Sequence, residues 1–263
     1  MSSSHGGGSP LSAQQVNALD LESDLLSGRY AVHSDLGSGS FGRVVGARDL
    51  QLDRDVAIKL IPVQGDGTSR EVDGLLKEAR LAASLAPAAV SIFDVLTSPN
   101  GIGIVMEVLV KGSLVPAVRA GTPPERAYDL GRASVESMAM IHAAGVLHLD
   151  IHPGNLLVRT PRSVAVADFG LARLRGARGF SHGRHELAWT APELLNFGVA
   201  SPQADVYALG LVLRWIERRS GARFGDVVDR ACAADRHDRP ADAQALLGQL
   251  LPFDPGSVEG GAA

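Results

Sequence analysis

A short polar loop, "HLDIHPGN" at residues 148–155, holds the side chains best suited to chemistry. Asp150 offers a carboxylate, His152 an imidazole and Asn155 a carboxamide, groups that accept or donate hydrogen bonds to a ligand. Leu149, an apolar residue, directly precedes Asp150 and interrupts this polar set. The loop is therefore the first candidate for a catalytic site.

A glycine-rich stretch, "GSGSFGRV" at residues 37–44, is a second candidate, with Gly37, Gly39 and Gly42 in GxGxxG spacing. Glycines let backbone N–H groups approach phosphate oxygens without a clash at Cβ. In a dinucleotide-binding fold a helix follows directly, whereas here a second strand follows and ends in "VAIK" at residues 56–59. This order favours a phosphate-binding loop over an ordinary glycine-rich turn.

The elements that must position these loops can be read from the apolar pattern. Short β-branched runs within residues 30–62 predict three antiparallel strands, and residues 69–86 have helical spacing behind the N-cap candidate Ser69. "AVSIFDVL" and "IGIVMEVL", separated by "TSPNG", predict a hairpin. After Gly112 the pattern predicts helices at 123–144, 202–219, 224–234 and 240–250, with two short strands near 156–167.

These elements predict an α+β fold of two lobes. The N-lobe would be a small antiparallel β-sheet with one helix, and the C-lobe would be mainly helical, with the join near residues 107–112. The predicted organisation is a flexible N-terminal arm at 1–28, a folded domain at 29–251 and a disordered tail at 252–263. The folded domain divides into an N-lobe, 29–108, and a C-lobe, 109–251.

Composition bounds the class of protein. The chain has 263 residues, of which 45% are hydrophobic, enough for a substantial core, and its net charge of −4 gives no general attraction to nucleic acid or anionic membranes. The single cysteine, Cys232, excludes an internal disulfide. No apolar run approaches the roughly 18 residues of a membrane span, and the first residues lack the regions of a signal peptide. We expect a cytoplasmic protein, and its Ala, Gly and Arg richness suggests a bacterial genome.

Five further motifs occur in this order along the chain, the first before the polar loop and the others after it: "VMEV", "DFG", "APE", "DVYALG" and "RHDRP". With the two loops, they make the chain resemble the eukaryotic-type (Hanks-type) Ser/Thr protein kinases of bacteria, from about Tyr30 to Leu251. The resemblance implies a bilobal protein-kinase fold and transfer of the γ-phosphate of ATP to protein hydroxyls. ATP and Mg²⁺ would be the cofactors, with a protein substrate of unknown identity and a further partner through the N-terminal arm.

The resemblance also assigns nucleotide-binding residues. Lys59 would hold the α- and β-phosphates, and Glu78 would pair with Lys59 and orient it. Glu71, seven residues earlier on a similar face of the helix, is the alternative partner. Met106 would be the gatekeeper, and the backbone of Glu107 and Leu109 would bind the adenine. The full set implied for ATP is Gly37, Ser38, Gly39, Ser40, Gly42, Val44, Ala57, Lys59, Met106, Glu107, Leu109 and Leu157.

For the reaction itself, the resemblance makes Asp150 the catalytic base, while Asn155 and Asp168 would bind Mg²⁺ through oxygen ligands. Other residues it makes architectural. His148 would pack behind Phe169, Glu193 of "APE" would pair with Arg239, and Asp205 would cap the backbone of the catalytic loop.

The pattern departs from the family at Leu149, which replaces an arginine that usually receives a phosphate on the activation segment. Ser181 and Thr190 are the only hydroxyl acceptors from Asp168 to Glu193. These features predict a kinase that is constitutively competent or controlled in another way.

A second departure is His152, in place of a lysine that neutralises the transferring phosphoryl group; "DIHPGN" resembles aminoglycoside phosphotransferases. A protonated imidazole could replace that lysine, and a neutral one could still donate one hydrogen bond. Glu186 is a candidate hydrogen-bond partner that would favour the protonated form, or else a solvated loop residue.

The stretch between Asp205 and Arg239 is also shorter than the family's, which weakens the case for a protein substrate. Two alternatives to an active protein kinase follow from these departures. One is a nucleotide-binding pseudokinase that acts as a scaffold or allosteric regulator, and the other is a small-molecule phosphotransferase.

Overall fold

The computed structural model describes residues 25–26, 28–39, 42–63, 69–174, 187–250 and 252. The chain forms two compact units: the first comprises residues up to Ala79 and Ile92–Val108, and the second comprises Arg80–Ser91 and the chain from Leu109. One boundary between the units lies between Val108 and Leu109. Residues 80–91 group with the second unit, where Val90 N–H donates to the carbonyl of Val166 at 2.9 Å.

In the described part of the chain, the first unit contains a five-stranded antiparallel sheet and the predicted helix that begins at Ser69, and residues 25–26 are also helical. The strand order is β1-β2-β3-β5-β4, so the hairpin β4–β5 joins the three-stranded meander through β3 and β5. Its elements are β1 (Tyr30–Gly39), β2 (Gly42–Asp49), β3 (Arg54–Pro62), α1 (Ser69–Ser84), β4 (Ile92–Ser98) and β5 (Gly101–Met106).

Strand β3 separates two apolar clusters, because successive side chains point to opposite faces of a sheet. Ile61 packs with Ala79 of α1 and with Ile104 of β5. Lys59 lies two residues before Ile61 on β3, so its side chain belongs to the face that α1 covers. The opposite face carries the cluster Leu26, Tyr30, Val45, Ala47, Val56, Ile58, Leu60 and Val105.

At its end, the predicted flexible arm is packed rather than flexible. Leu26 is 3% exposed inside the second cluster and Leu25 packs against it, so the folded region reaches back to Leu25. Arg29 donates to both carboxyl oxygens of Asp49, at 3.2 and 3.0 Å, and to Asp94 at 2.9 Å. The segment before β1 is therefore fixed by apolar burial and by a guanidinium that bridges two strands. The rest of the arm, residues 1–24 and 27, lies outside the described residues, as does most of the predicted tail.

The second unit is mainly helical, as predicted. Its two longest helices are α3 (Pro124–Ala143) and α5 (Pro202–Ser220), and their inner faces are buried. Between them in the sequence lies the hairpin of β7 (Leu156–Thr160) and β8 (Ser163–Val166). The other elements are α2 (Leu114–Ala117), β6 (Val146–Leu147), β9 (Arg173–Leu174), α4 (Pro192–Phe197), α6 (Val227–Ala231), α7 (Ala243–Gln249) and 3₁₀ turns at Leu187–Trp189 and Arg236–Asp238.

The helix predicted at 224–234 is shorter, because α6 spans only Val227–Ala231. Gly221, with φ of 76°, ends α5, and the chain then places Phe224 in the core, where it is fully buried and stacks on Tyr128 with ring centroids 5.1 Å apart. Phe224 is thus a packing contact of the connection before α6 and not part of that helix. Within the described ranges, no helix is long and apolar enough to cross a membrane.

The bridge made by Arg29 gives a first prediction. Arg29→Ala is expected to lower the urea midpoint of unfolding at neutral pH, because it leaves the solvent-inaccessible carboxylate of Asp49 without its guanidinium partner. Arg48→Ala is the matched control, since Asp53 and Asp55, which Arg48 contacts, are 90% and 58% exposed. Equal shifts in the two variants would contradict the assignment.

The same variant should show a pH dependence of known sign. The hydrogen bond from Arg29 holds the pKa of the Asp49 carboxyl below its usual range. Such a group adds stability above its unfolded pKa, about 3.9, and loses it as the pH falls through the folded pKa. The difference between wild type and Arg29→Ala should therefore shrink below about pH 4. A difference that acid leaves unchanged would mean that Arg29 acts by packing alone.

Candidate active site

A buried carboxylate from helix α5 fixes the backbone of the candidate catalytic loop. Asp205 lies in the first turn of α5 and is 0% exposed. Its Oδ2 accepts the N–H of His148 at 2.8 Å, and its Oδ1 accepts the N–H of Leu149 at 2.7 Å. The predicted capping role of Asp205 is confirmed.

His142, which the sequence reasoning missed, is a third donor to the same carboxylate. Its Nδ1 accepts the N–H of Ala243 at 3.1 Å, which leaves the ring hydrogen on Nε2, 3.0 Å from Asp205 Oδ2. His142 thereby joins helices α3, α5 and α7. Its only sequence signal is a polar residue on the buried face of α3, and that signal does not indicate its partners.

His148 is structural, as predicted. Its ring packs edge-on against Phe169, with centroids 4.9 Å apart. Its Nδ1 accepts the N–H of Asp150 at 3.3 Å and its Nε2 donates to the carbonyl of Ala167 at 3.0 Å. Burial lowers the pKa of His148, so its contribution to stability falls as the pH drops below about 6.5, where the unfolded state takes up the proton.

Leu149 has an unusual conformation and an apolar environment. Its φ is 66°, in the left-handed region that residues with a Cβ rarely occupy, and its side chain is 4% exposed. It packs in a cluster with Leu147, Ala191, Leu194 and Ala204. At the position where the resemblance predicts an arginine, this chain therefore has a buried apolar side chain.

Hydrogen bonds within the loop orient its polar side chains. Asn155 Nδ2 donates to the carbonyl of Asp150 at 3.0 Å, so Asn155 Oδ1 remains as the atom that can bind a cation. His152 Nδ1 accepts the N–H of Gly154 at 3.1 Å, which leaves Nε2 to carry the ring hydrogen. This arrangement fits a neutral imidazole that can donate one hydrogen bond. Glu186, the suggested partner of His152, lies outside the described residues, as does Ser181.

The hairpin β7–β8 places the backbones of the two candidate metal ligands at neighbouring positions. Leu156 pairs with Val166, and Ala167 N–H donates to the carbonyl of Asn155 at 2.9 Å, so Asp168 follows directly after the partner of Asn155. Asp168 has a φ of 63°, a strained backbone of the kind often found at functional sites. One carboxylate and one amide oxygen are hard donors that suit Mg²⁺.

The glycine-rich loop joins β1 and β2 in the first unit. Gly37 and Gly42 have φ of 140° and 134°, and a Cβ added to Gly42 would run into the carbonyl oxygen of Leu60. Ser38 and Gly39 end β1, and Ser40 lies outside the described residues. Glycine is thus required at Gly42 by a close approach of two backbones as well as by its φ.

Strand register brings several of the nucleotide-binding candidates to one face of the sheet. Val44 pairs with Lys59, and Ala57 pairs with Met106. Glu78 is half-buried on α1, directly before Ala79, which packs with Ile61 on the same face as Lys59. The Lys59–Glu78 pair stays a prediction, and the side chain of its rival Glu71 is not described. Glu107 and Leu109 lie half-buried in the chain after β5, and Leu157 lies half-buried on β7.

Glu193 and Arg239 form the predicted ion pair. Arg239 Nη1 and Nη2 donate to the two oxygens of Glu193 at 2.8 and 2.9 Å, and the Arg239 side chain is 0% exposed. The guanidinium also donates to the carbonyls of Ala233, Ala234 and Gln203. The pair therefore anchors the start of α4 to α5 and to the chain after α6.

An antiparallel sheet with a glycine-rich turn and a helical unit with this loop are features of protein kinases. The family model described as "Protein kinase domain" matches residues 30–220. This chain belongs to the protein kinase family.

The similar curated proteins include bacterial kinases. Serine/threonine-protein kinase PrkC of Bacillus subtilis is 32% identical over 194 residues, covering 72% of this chain and 30% of PrkC. PknL of Mycobacterium tuberculosis is 32% identical over 199 residues, covering 73% and 50% of the two chains. PknA of the same species is 34% identical over 201 residues, covering 71% and 46%. The chain spans half or less of the length of these relatives.

The role of Asp205 can be tested by Asp205→Asn. The amide would place an NH₂ group against a backbone or imidazole N–H, so we expect a loss of about 2–3 kcal/mol in the free energy of unfolding. Asp129→Asn is the control, because Asp129 pairs with Arg162, which is 78% exposed. Urea unfolding of both variants measures the difference, and equal small losses would contradict the role.

Proposed function

We propose that this chain is a protein serine/threonine kinase that transfers the γ-phosphate of ATP to protein hydroxyls. The observation that carries the proposal is the set of hydrogen bonds that fixes loop 148–155. Asp205 accepts the backbone N–H groups of His148 and Leu149, and the Asp150 carbonyl accepts the side-chain amide of Asn155. Catalysis of phosphoryl transfer depends on positioning and electrostatic stabilisation more than on covalent chemistry. A loop fixed by buried hydrogen bonds meets the first of these needs.

In this proposal, residues on the α1 face of the sheet bind the nucleotide. Lys59 would hold the α- and β-phosphates, with Glu78 as the carboxylate that orients it. The backbone N–H groups of residues 37–42 would cover the phosphates, and the backbone of Glu107 and Leu109 would bind the adenine edge. Val44, Ala57 and Met106 would contact the adenine ring from this sheet.

Asp150 would accept or orient the proton of the substrate hydroxyl, as the catalytic base. Its N–H is bound by His148 Nδ1 and its carbonyl by Asn155, which limits the backbone movement of this residue. Asn155 and Asp168 would hold Mg²⁺ through their side-chain oxygens. When bound, the ion neutralises charge on the β- and γ-phosphates.

His152 would donate its Nε2–H to the transferring phosphoryl group, in place of the lysine that the family usually carries. The contact from Gly154 N–H to Nδ1 supports this assignment, because it directs the hydrogen to Nε2. A single neutral donor is a weaker stabiliser of negative charge than an ammonium group. We therefore expect slow turnover.

The proposal is tested by transfer of the labelled γ-phosphate of ATP in the presence of Mg²⁺, with autophosphorylation and a basic protein as acceptors. Asp150→Asn should lower transfer by about 10²–10⁴-fold, the range for loss of a general base, while nucleotide binding measured by calorimetry is retained. Nucleotide binding without transfer in the wild type would point to a pseudokinase. Transfer to a metabolite but to no protein would point to a small-molecule phosphotransferase.

The assignment of His152 is tested by Gly154→Ala. A Cβ at Gly154 would lie 2.8 and 2.9 Å from Cε1 and Nδ1 of His152, so the imidazole must move. Misplacement of a reacting group by about 1 Å can cost about 10²-fold, and we expect a loss of kcat approaching that size without a change in the KM for ATP. Gly248→Ala is the control, because an added Cβ there meets nothing within 4 Å. Unchanged kcat in Gly154→Ala would refute the role.

A further inference from the structure

The side chain of Arg29 joins two strands that are not neighbours in the sheet of the first unit. Its Nη2 donates to Asp49 at the end of β2 at 3.0 Å, and its Nη1 donates to Asp94 of β4 at 2.9 Å. In the strand order β1-β2-β3-β5-β4, these strands are separated by β3 and β5. Three strand spacings amount to about 14 Å in a flat sheet, so the Arg29 bridge crosses most of the width of the sheet at this end.

The register of the strands places the Arg29 bridge behind Met106, the predicted gatekeeper. Asp94 lies directly across from Val105 on β5, and Met106 is the next residue of that strand. Val105 belongs to the cluster on the face opposite to α1, whereas Met106 packs against the cluster on the α1 face. Because residues directly opposite in an antiparallel pair share a face, the bridge supports β5 from the face that Met106 does not occupy.

Two further contacts fix the same end of the sheet. The guanidinium of Arg54, the first residue of β3, lies over the ring of Phe93 in β4, with its Cζ 3.7 Å from the ring centroid. The carbonyl of Arg29 accepts the N–H of Leu50, directly after β2, at 2.8 Å. Arg29 is therefore held by its backbone as well as by its side chain, and it cannot shift without moving the end of β2.

The groups of this unit that are proposed to contact the adenine lie on the strands that the bridge encloses. Ala57 of β3 pairs with Met106 of β5, and these two strands lie between β2 and β4. A side chain that binds β2 and β4 at once restricts the movement of both enclosed strands. The backbone of Glu107, which follows β5 directly, is subject to the same constraint.

We propose that Arg29 is a positioning residue for nucleotide binding: by joining Asp49 to Asp94, it fixes Met106 and the backbone of Glu107 from the opposite face of the sheet. The inference rests on the proposed kinase function, in which these two groups bind the adenine, and adds to it a residue on the face away from the nucleotide. Groups that are already in place lose less freedom when a ligand binds. Loss of the bridge should therefore lower the affinity for ATP rather than the rate of transfer.

Asp94→Ala removes the β4 half of the bridge and leaves the pair of Arg29 with Asp49 in place. We expect the dissociation constant for ATP, measured by calorimetry, to rise about threefold to tenfold, while kcat at saturating ATP stays within about twofold of wild type. Asp55→Ala is the control, because Asp55 also pairs with an arginine of the sheet, Arg48, at 3.2 Å and is 58% exposed. The same ATP affinity in the two variants would overturn the proposal.

A double substitution tests whether the two partners act together. In an Arg29→Ala background, Asp94→Ala should change the affinity for ATP by less than about twofold, because the hydrogen bond that it removes is already absent. Additive losses of affinity would show that the two residues act separately and would overturn the bridging role.

Arg29→Lys separates charge from geometry. A lysine keeps a positive charge beside the buried Asp49 but lacks the planar fork that can serve both carboxylates. The urea midpoint of unfolding should therefore recover in part relative to Arg29→Ala, whereas the dissociation constant for ATP should stay raised as in Asp94→Ala. Full recovery of the ATP affinity would show that charge alone matters and would overturn the positioning role.

A readout that needs neither nucleotide nor activity separates this inference from the proposed function. The N–H groups of β5 (Gly101–Met106) should exchange with deuterium faster in Asp94→Ala than in Asp55→Ala. Equal exchange in the two variants would refute the constraint on β5 and with it this inference. A wild type that binds ATP, with the expected loss in Asp94→Ala, but transfers no phosphate would refute the kinase function alone.

Discussion

The buried carboxylate of Asp205 is the interaction on which the candidate active site depends. An ionised group without solvent contact is strongly unfavourable unless hydrogen bonds replace its water. Three donors do so here: the N–H groups of His148 and Leu149 and the imidazole of His142. Because two of them are consecutive backbone groups, the carboxylate fixes the backbone of the loop, including the left-handed conformation of Leu149.

Further hydrogen bonds, between neutral groups, connect the backbone held by Asp205 to the residues proposed to react. The imidazole of His148 links the N–H of Asp150 to the carbonyl of Ala167. Ala167 in turn donates to the carbonyl of Asn155, whose side chain donates to the carbonyl of Asp150. Each group in this cycle is held by its neighbour, which is the kind of preorganisation that lowers the cost of reaching a transition state.

The sequence predicted the elements that depend on local residue patterns. It did not predict the features that depend on contacts between residues distant in the chain. Alternation and helical spacing gave the strands, the hairpin and the long helices, and ordered motifs gave the roles of Asp205 and the partner of Arg239. His142 was missed because its role is defined by Asp205 and by the N–H of Ala243, and neither partner leaves a signal next to it in the chain. The predicted helix at 224–234 is too long because Phe224 lies in the connection before α6, where it stacks on Tyr128, a residue distant in sequence.

The two departures from the kinase pattern have one physical feature in common. Leu149 and His152 both stand where a cation is usual, and each is held by a contact internal to its unit: an apolar cluster for Leu149 and the N–H of Gly154 for His152. Surface charge pairs are screened by salt over about 10 Å, whereas buried packing and backbone hydrogen bonds are not. The backbone of Asp150 is thus held by hydrogen bonds that depend little on ionic strength. In such a loop the geometry of the proposed base is separated from the charge that must be neutralised during transfer, and within this unit that neutralisation is left to the proposed ligands of the metal ion.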